Sequence, residues 1–306
     1  MKVDLKVRIG KLRLANPVMA ASGTFGFGCE FAEFFPLKKL GAVVTKTVTP
    51  KPRLGCPPPR VAETAAGMLN AIGLANPGIE RFLREDLVQL TKLGVNAIVN
   101  VAGDLWQDYA RLAAGVESSG LASGIELNVS CPNVAKGGIS FGTDPETLSK
   151  LVSAVRKAVR LPVFVKLTPN VTSIVEMARV AEDAGADALT VANTLLAMAV
   201  DWRRRRPKLA HVTGGLSGPA IKPVNLRMVW QVSRAVKIPV IGVGGILSAE
   251  DVMDYLVAGA TAVQVGTANF IDPRSAARIV DDLPALVAES GARSIRELVG
   301  TLKTGD

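Results

Sequence analysis

The chain has 306 residues, 48% of them hydrophobic, and a formal charge of +9, which is enough apolar material for one large domain spanning 1–306. The charge does not point to nucleic acid: basic residues are scattered outside the four arginines at 203–206, and two Tyr and three Trp are few for base stacking. No apolar run reaches the roughly 20 residues of a bilayer span, and the opening M-K-V-D-L-K-V-R-I-G alternates like a strand and unlike a signal peptide, so no membrane segment and a cytoplasmic location are expected.

Residues 3–9 and 12–14 read as an N-terminal β-hairpin turning at Gly10-Lys11. A pattern then repeats: a short β-branched or apolar run, a polar or glycine end, and an amphipathic stretch. The runs predict strands at 18–21, 42–45, 97–101, 124–128, 163–167, 188–192, 240–243 and 262–265. The amphipathic stretches predict helices at 30–40, 78–93, 106–118, 145–159, 173–184, 223–236, 249–258 and 273–289. A-G-A-D (184–187) and A-G-A-T (258–261) are helix stops with glycine at the C-cap. Eight alternating pairs predict an α/β fold of the (β/α)8 TIM-barrel type. An open doubly wound sheet is the alternative, although it rarely needs eight units. Two long insertions, 48–77 and 194–222, leave the face where the strands end, and loops of this length are uncommon unless functional. They read as lids or substrate walls.

In a barrel, function sits at the C-terminal strand ends. Here those ends carry Ser22, Lys46-Thr47, Asn100, Asn128, Lys166, Asn193-Thr194, Gly244-Gly245 and Gly266-Thr267, each a polar residue or a glycine. Gly242, Gly244 and Gly245, with Gly266 and Thr267, bring bare backbone N–H groups together, the usual phosphate seat of such folds. Their spacing is not G-x-G-x-x-G, so a dinucleotide site on this chain is not expected.

The fourth strand runs into N-V-S-C-P-N (128–133), where Pro132 stops the ladder and Asn128, Ser130, Cys131 and Asn133 are presented. One histidine, His211, and three cysteines offer neither a histidine triad nor paired metal spacing, nor the four thiolates of an iron–sulfur cluster, so no metal site is expected. Chemistry must therefore run on Cys, Lys, Ser, Thr, Asn or a cofactor. Cys131 is a candidate base or nucleophile, since a thiol titrates near about pH 8.5 and lower beside cations. A small buried hydrophobe is the plainer reading, but a loop between Ser130 and Pro132 is not that setting, and the functional reading is preferred. Lys166 suits a cation beside an electron-rich cofactor ring, a Schiff-base lysine, or a side chain reaching solvent. Lys46 suits an anionic substrate or a cofactor phosphate or carbonyl. Cys29 and Cys56 receive no role, and His211 reads as a surface residue.

At these residues the chain resembles the class 1 dihydroorotate dehydrogenases. The motifs run in order: A-S-G-T-F-G (21–26), T-K-T-V-T (45–49), L-N-A-I-G-L (69–74), N-V-S-C-P-N (128–133), K-L-T-P-N (166–170), G-G-L-S-G-P-A-I (214–221), G-V-G-G (242–245) and Q-V-G-T (264–267). The resemblance implies an FMN-containing barrel that oxidises dihydroorotate to orotate in pyrimidine synthesis. It implies Cys131 as the base that takes the C5 proton, with Lys166 and Lys46 as further catalytic groups. Lys46, Asn70, Ala71, Ile72, Gly73, Leu74, Asn128, Asn193 and Thr194 would hold substrate. Ser22, Lys46, Thr47, Asn100, Asn128, Lys166, Ala192, Gly218, Gly244, Gly245, Gly266 and Thr267 would contact FMN. T-V-T-P-K-P-R and P-P-P-R-V-A-E-T (47–64) look like the NAD-linked subtype, in which a second subunit carries FAD and a 2Fe–2S cluster in a heterotetramer of two chains of each kind. The absent cluster cysteines and dinucleotide fingerprint agree with that division. The fumarate-using homodimeric subtype, a dihydropyrimidine dehydrogenase, a Schiff-base lyase using Lys166 and a basic binding protein are the alternatives.

Overall fold

The computed structural model describes residues 3–130, 132–133 and 139–305. Eight parallel strands close into a barrel: β1 (Val18–Ala20), β2 (Ala42–Val44), β3 (Ala97–Val101), β4 (Gly124–Asn128), β5 (Val163–Lys166), β6 (Ala188–Val191), β7 (Val240–Val243) and β8 (Ala262–Val265). β8 pairs with β1 through Val263↔Val18 and Val265↔Ala20, which closes the ring. The strands are short and Val- and Ala-rich because both of their faces are buried, one against the barrel interior and one against helices. Closure leaves no edge strand to protect.

The helices pack outside, each on an apolar stripe. In Pro145–Ala158 the stripe is Leu148, Leu151, Val152 and Val155, spaced to lie on one face. Its start is fixed by Asp144, whose carboxylate accepts the Thr147 N–H at 2.9 Å, and by Pro145 at the first helical position. Ser173 caps Ile174–Asp183 in the same manner, and Ser248 with Asp251 forms a capping box on Ala249–Val257.

Three sequence expectations change. The helix expected at 30–40 is two 3-10 turns, Cys29–Phe31 and Leu37–Lys39. Pro36 stands between them in extended backbone, and proline disfavours helix at the residue before it. Phe25, Phe31, Phe34 and Phe35 cluster there instead. The N-terminal hairpin is limited to Val7–Ile9 against Leu12–Leu14, and Asp4 bridges Ser294 near the other end of the chain. The second helix starts at Ile79 and contains a wider π turn, Phe82–Asp86, that side-chain periodicity does not reveal.

The two insertions are ordered, and they pair with each other. Val61–Thr64 and Gly67–Asn70 form a hairpin, and Gly67–Asn70 pairs antiparallel with Thr213–Ser217, which pairs in turn with Leu195–Met198. This four-stranded sheet stands over the barrel mouth. An ion pair of Arg53 with Asp104 at 2.7 Å ties the first insertion to the loop after β3. The arginines at 203–206 lie on an exposed two-stranded projection whose turn is closed by Asp201 accepting the Arg203 and Arg204 N–H groups.

Gly242 has a packing role that its motif hides. A side chain there would meet the ring of Tyr255, which is fully buried and donates its hydroxyl to the Gly244 carbonyl at 2.7 Å. Gly242 is therefore in the strand against a ring and not in a phosphate seat. Gly242→Ala is expected to cost about 1–3 kcal/mol by overpacking, read as a lower urea midpoint with unchanged slope. An unchanged midpoint would show that the ring has room to move.

Candidate active site

The strand ends and the four-stranded sheet enclose a cleft of about 310 Å³, within the range of small-molecule sites. Its lining includes Ser22, Lys46, Thr47, Asn100, Asn128, Lys166, Ala192, Asn193, Thr194, Gly218, Gly244, Gly245, Gly266 and Thr267. From the first insertion come Asn70, Ile72, Gly73 and Leu74. Ala71 is not in the lining; its N–H bonds the Arg60 carbonyl at 2.8 Å. Cys131 lies outside the described residues, as do the side chains of Pro132 and Asn133.

Several contacts fix the side chains that precede the thiol. The Asn128 carbonyl accepts the buried Tyr109 hydroxyl at 2.8 Å. The Asn128 amide oxygen accepts the Ser130 N–H at 3.2 Å, an Asx-type turn that bends the chain out of β4. Asn193, beyond β6, donates to Ser130 Oγ at 3.0 Å and accepts the Thr194 N–H at 2.9 Å. Asn128, Ser130, Asn193 and Thr194, far apart in sequence, therefore form one hydrogen-bonded rim.

The opposite corner is bare backbone. Gly218, Gly244 and Gly245 all have φ in the left-handed region, at 95°, 124° and 70°, where a side chain is strained. A Cβ on Gly245 would also lie 2.6 Å from Lys222 Cβ and 2.9 Å from the Gly218 carbonyl. Asn225, fully buried, braces this corner by donating to the Val243 carbonyl at 2.7 Å and the Ala192 carbonyl at 3.3 Å.

Among the described lining residues there are two cations, Lys46 and Lys166, and no carboxylate. Lys222, next to the glycine corner, is already matched by Asp251 and by Asp254 at 2.7 Å. Its own desolvation opposes the charge, but the two carboxylates outweigh it and hold its pKa above the usual lysine value. Lys166 differs: burial pushes its pKa below the usual value, and the Glu126 carboxylate offsets part of that. No hydrogen bond joins its ammonium to a described residue. The charged side chains of the described lining are both basic, which suits an anion.

Burial first, then the carboxylates of Glu30 and Asp86, push the Cys29 thiol up, away from the reactive thiolate. His211 is exposed. The sequence reading missed Thr24, Met68 and Ser217 in the lining, and Ser217 Oγ accepts the Thr267 hydroxyl at 2.9 Å. It missed Glu126 as well, although the two-residue period that places Asn128 inside the barrel places Glu126 there too.

A planar, polar ring with a phosphate tail fits these residues. Among the described residues, Asn100 Oδ1 is buried with no hydrogen-bond partner, so it can accept from such a ring. At the glycine corner this chain's own atoms, Lys222 Cβ and Asn225 Nδ2 among them, take the space that side chains would need, so the corner stays bare backbone, which suits phosphate oxygens. Lys46 and Lys166 are the charged side chains of the described lining that such a group would meet.

Comparison with known proteins gives one answer. The family described as Dihydroorotate dehydrogenase matches residues 4–287. The Dihydroorotate dehydrogenase B (NAD(+)), catalytic subunit of Geotalea uraniireducens (strain Rf4) is 52% identical over 99% of both chains. The protein of the same description from Trichlorobacter lovleyi is 54% identical over 99% of this chain and 100% of its own. That from Geobacter metallireducens is 53% identical over 98% of each. Among the described residues, no helix is long and apolar enough to cross a membrane.

Proposed function

We propose, since the chain belongs to the dihydroorotate dehydrogenase family, that it oxidises dihydroorotate to orotate as the catalytic subunit of an NAD-linked enzyme of pyrimidine synthesis. The observation that carries this reading furthest is a cleft with two lysines and no carboxylate among its described lining residues, matched to an anionic ring substrate and an anionic cofactor.

Gly218, Gly244, Gly245, Gly266 and Thr267 would hold the phosphate of FMN, and Ser22, Lys46, Thr47, Asn100, Asn128, Lys166 and Ala192 its ring and chain. Bound FMN would supply the acceptor for the C6 hydride. Lys46, Asn128, Asn193, Thr194 and the 70–74 segment would orient the substrate by its carboxylate and ring amides, which converts a collision into a fixed approach. Cys131 would remove the C5 proton as a thiolate, the form that cations favour. The paired insertions would exclude water from the reacting face.

The chain has too few cysteines for a usual iron–sulfur cluster and no G-x-G-x-x-G. Electrons bound for NAD would therefore leave through a partner subunit with FAD and a 2Fe–2S cluster, in an assembly of two chains of each kind. A single domain over 1–306 and a cytoplasmic location complete the reading.

The test is an anaerobic visible spectrum of the purified chain before and after dihydroorotate. A flavin spectrum that bleaches on addition, and is reoxidised neither by NAD nor by fumarate until the partner is supplied, is the expected result. A protein that stays colourless with added FMN would overturn the cofactor assignment. Reoxidation by fumarate alone would overturn the NAD-linked assignment.

A further inference from the structure

Beneath the cleft the barrel interior is polar, where most barrels pack branched aliphatic side chains. Glu126 on β4 is fully buried. Its Oε1 accepts from Asn100 Nδ2 at 2.7 Å, and its Oε2 accepts from Thr190 Oγ1 at 2.8 Å and Gln264 Nε2 at 2.6 Å. Each contact brings a donor, the surroundings an ionised carboxylate takes. None brings a formal charge. A buried carboxylate with neutral donors alone is costly, so a cation close by has to answer it.

Lys166 on the adjacent strand is that cation. Phe164 is in register with Glu126 and Lys166 with Asn128, so Lys166 stands one two-residue step nearer the mouth. It is buried, lines the floor of the cleft, and couples electrostatically to Glu126. No titratable side chain comes from β1, β3, β6, β7 or β8. Lys46, past the end of β2, is the other charged group in the described lining, and Cys131, past β4, is the remaining titratable group of the sequence motif. Glu126 also takes an Asn100 amide hydrogen, and Asn100 Oδ1, like Gln264 Oε1, is a buried acceptor without a partner among the described residues.

We propose that Glu126 is a positioning residue: it keeps Lys166 an ammonium at the cleft floor and fixes the Asn100 amide, so that a bound ring always meets one cation and one acceptor. The charge coupling stands on the barrel alone, whereas its service to a flavin rests on the function proposed above. An ammonium held there against the cost of burial would favour the form of the ring that gains negative charge on reduction.

The test follows Lys166 without reference to flavin. In the full chain carrying Cys131→Ala, so that the thiol of the motif cannot react with the reagent, acetylation of Lys166 by acetic anhydride is measured against pH by peptide mass spectrometry. Acetylation needs the neutral amine. With Glu126→Gln, the Lys166 profile is expected to move at least one pH unit lower, which is about tenfold faster acetylation at a fixed pH below the midpoint, while Lys46 moves less. Superimposable Lys166 profiles would overturn the proposal. If Glu126→Gln does not fold, Glu126→Gln/Lys166→Met decides: recovery of folding supports a charge pair, and failure of both variants reduces Glu126 to a structural part. A colourless protein whose Lys166 profile still shifts would keep the pair and remove the flavin.

Discussion

Cys131→Ala is expected to retain FMN and to slow its reduction by dihydroorotate by about 10²–10⁴-fold, the range a positioned general base contributes. The reason lies in the order of the chain. β4 ends at Asn128, the Asn128 amide turns the backbone at Ser130, and Asn193 holds the Ser130 hydroxyl. The thiol is the next side chain along. Alanine removes the proton acceptor and leaves that rim and the glycine corner untouched. Cys131→Ser should be slow at neutral pH and gain with rising pH, because a hydroxyl is a far weaker base than a thiol. Anaerobic stopped-flow of flavin bleaching measures both variants. A wild-type rate in the alanine variant would remove Cys131 from the mechanism.

Gly245→Val should give a folded protein that has lost most of its affinity for FMN. At φ 70° a valine is strained, and its Cβ would sit 2.6 Å and 3.0 Å from Lys222 Cβ and Cα and 2.9 Å from the Gly218 carbonyl. Lys222 starts a helix and is held by Asp251 and Asp254, so the loop must yield and not the helix. Backbone strain of this kind is about 1–3 kcal/mol. If binding must restore the strained seat, the dissociation constant rises about 10–100-fold. Gly94→Val is the control: Gly94 has the same φ of 70° but nothing within 4 Å of its Cβ, so it should lose stability and keep FMN. Equal flavin titrations for Gly245→Val and wild type would show that the phosphate does not sit at residue 245.

The barrel was legible because its signals are local and repeated. Each strand is a short apolar run ended by a polar residue or glycine, and each helix carries its own stripe and cap, as Asp144, Ser173 and Ser248 show. The strand-end residues were legible for the same reason, since their position in a parallel barrel fixes which way they face. Three things were not. The stretch at 30–40 has helical periodicity that Pro36 overrides. The pairing of 67–70 with 213–217 is a long-range contact that no short window of sequence contains. Glu126 is a lone charge within its own apolar run, and its partners, Asn100, Thr190 and Gln264, come from three other strands.

The roof of the cleft also constrains the order in which the protein can be made. The hairpin 61–70 leaves the ribosome with the outer edge of Gly67–Asn70 unsatisfied, and its partner carbonyl, Gly215, which accepts the Asn70 amide, lies 145 residues downstream. At about 5–20 residues per second that edge waits about 7–30 s. During that interval it is an open template for strands of other nascent chains. The glycine corner at 244–245 and the Thr267–Ser217 link come later still, so a chain truncated before β8 lacks the Thr267 hydroxyl that ties Ser217 of the roof to the barrel.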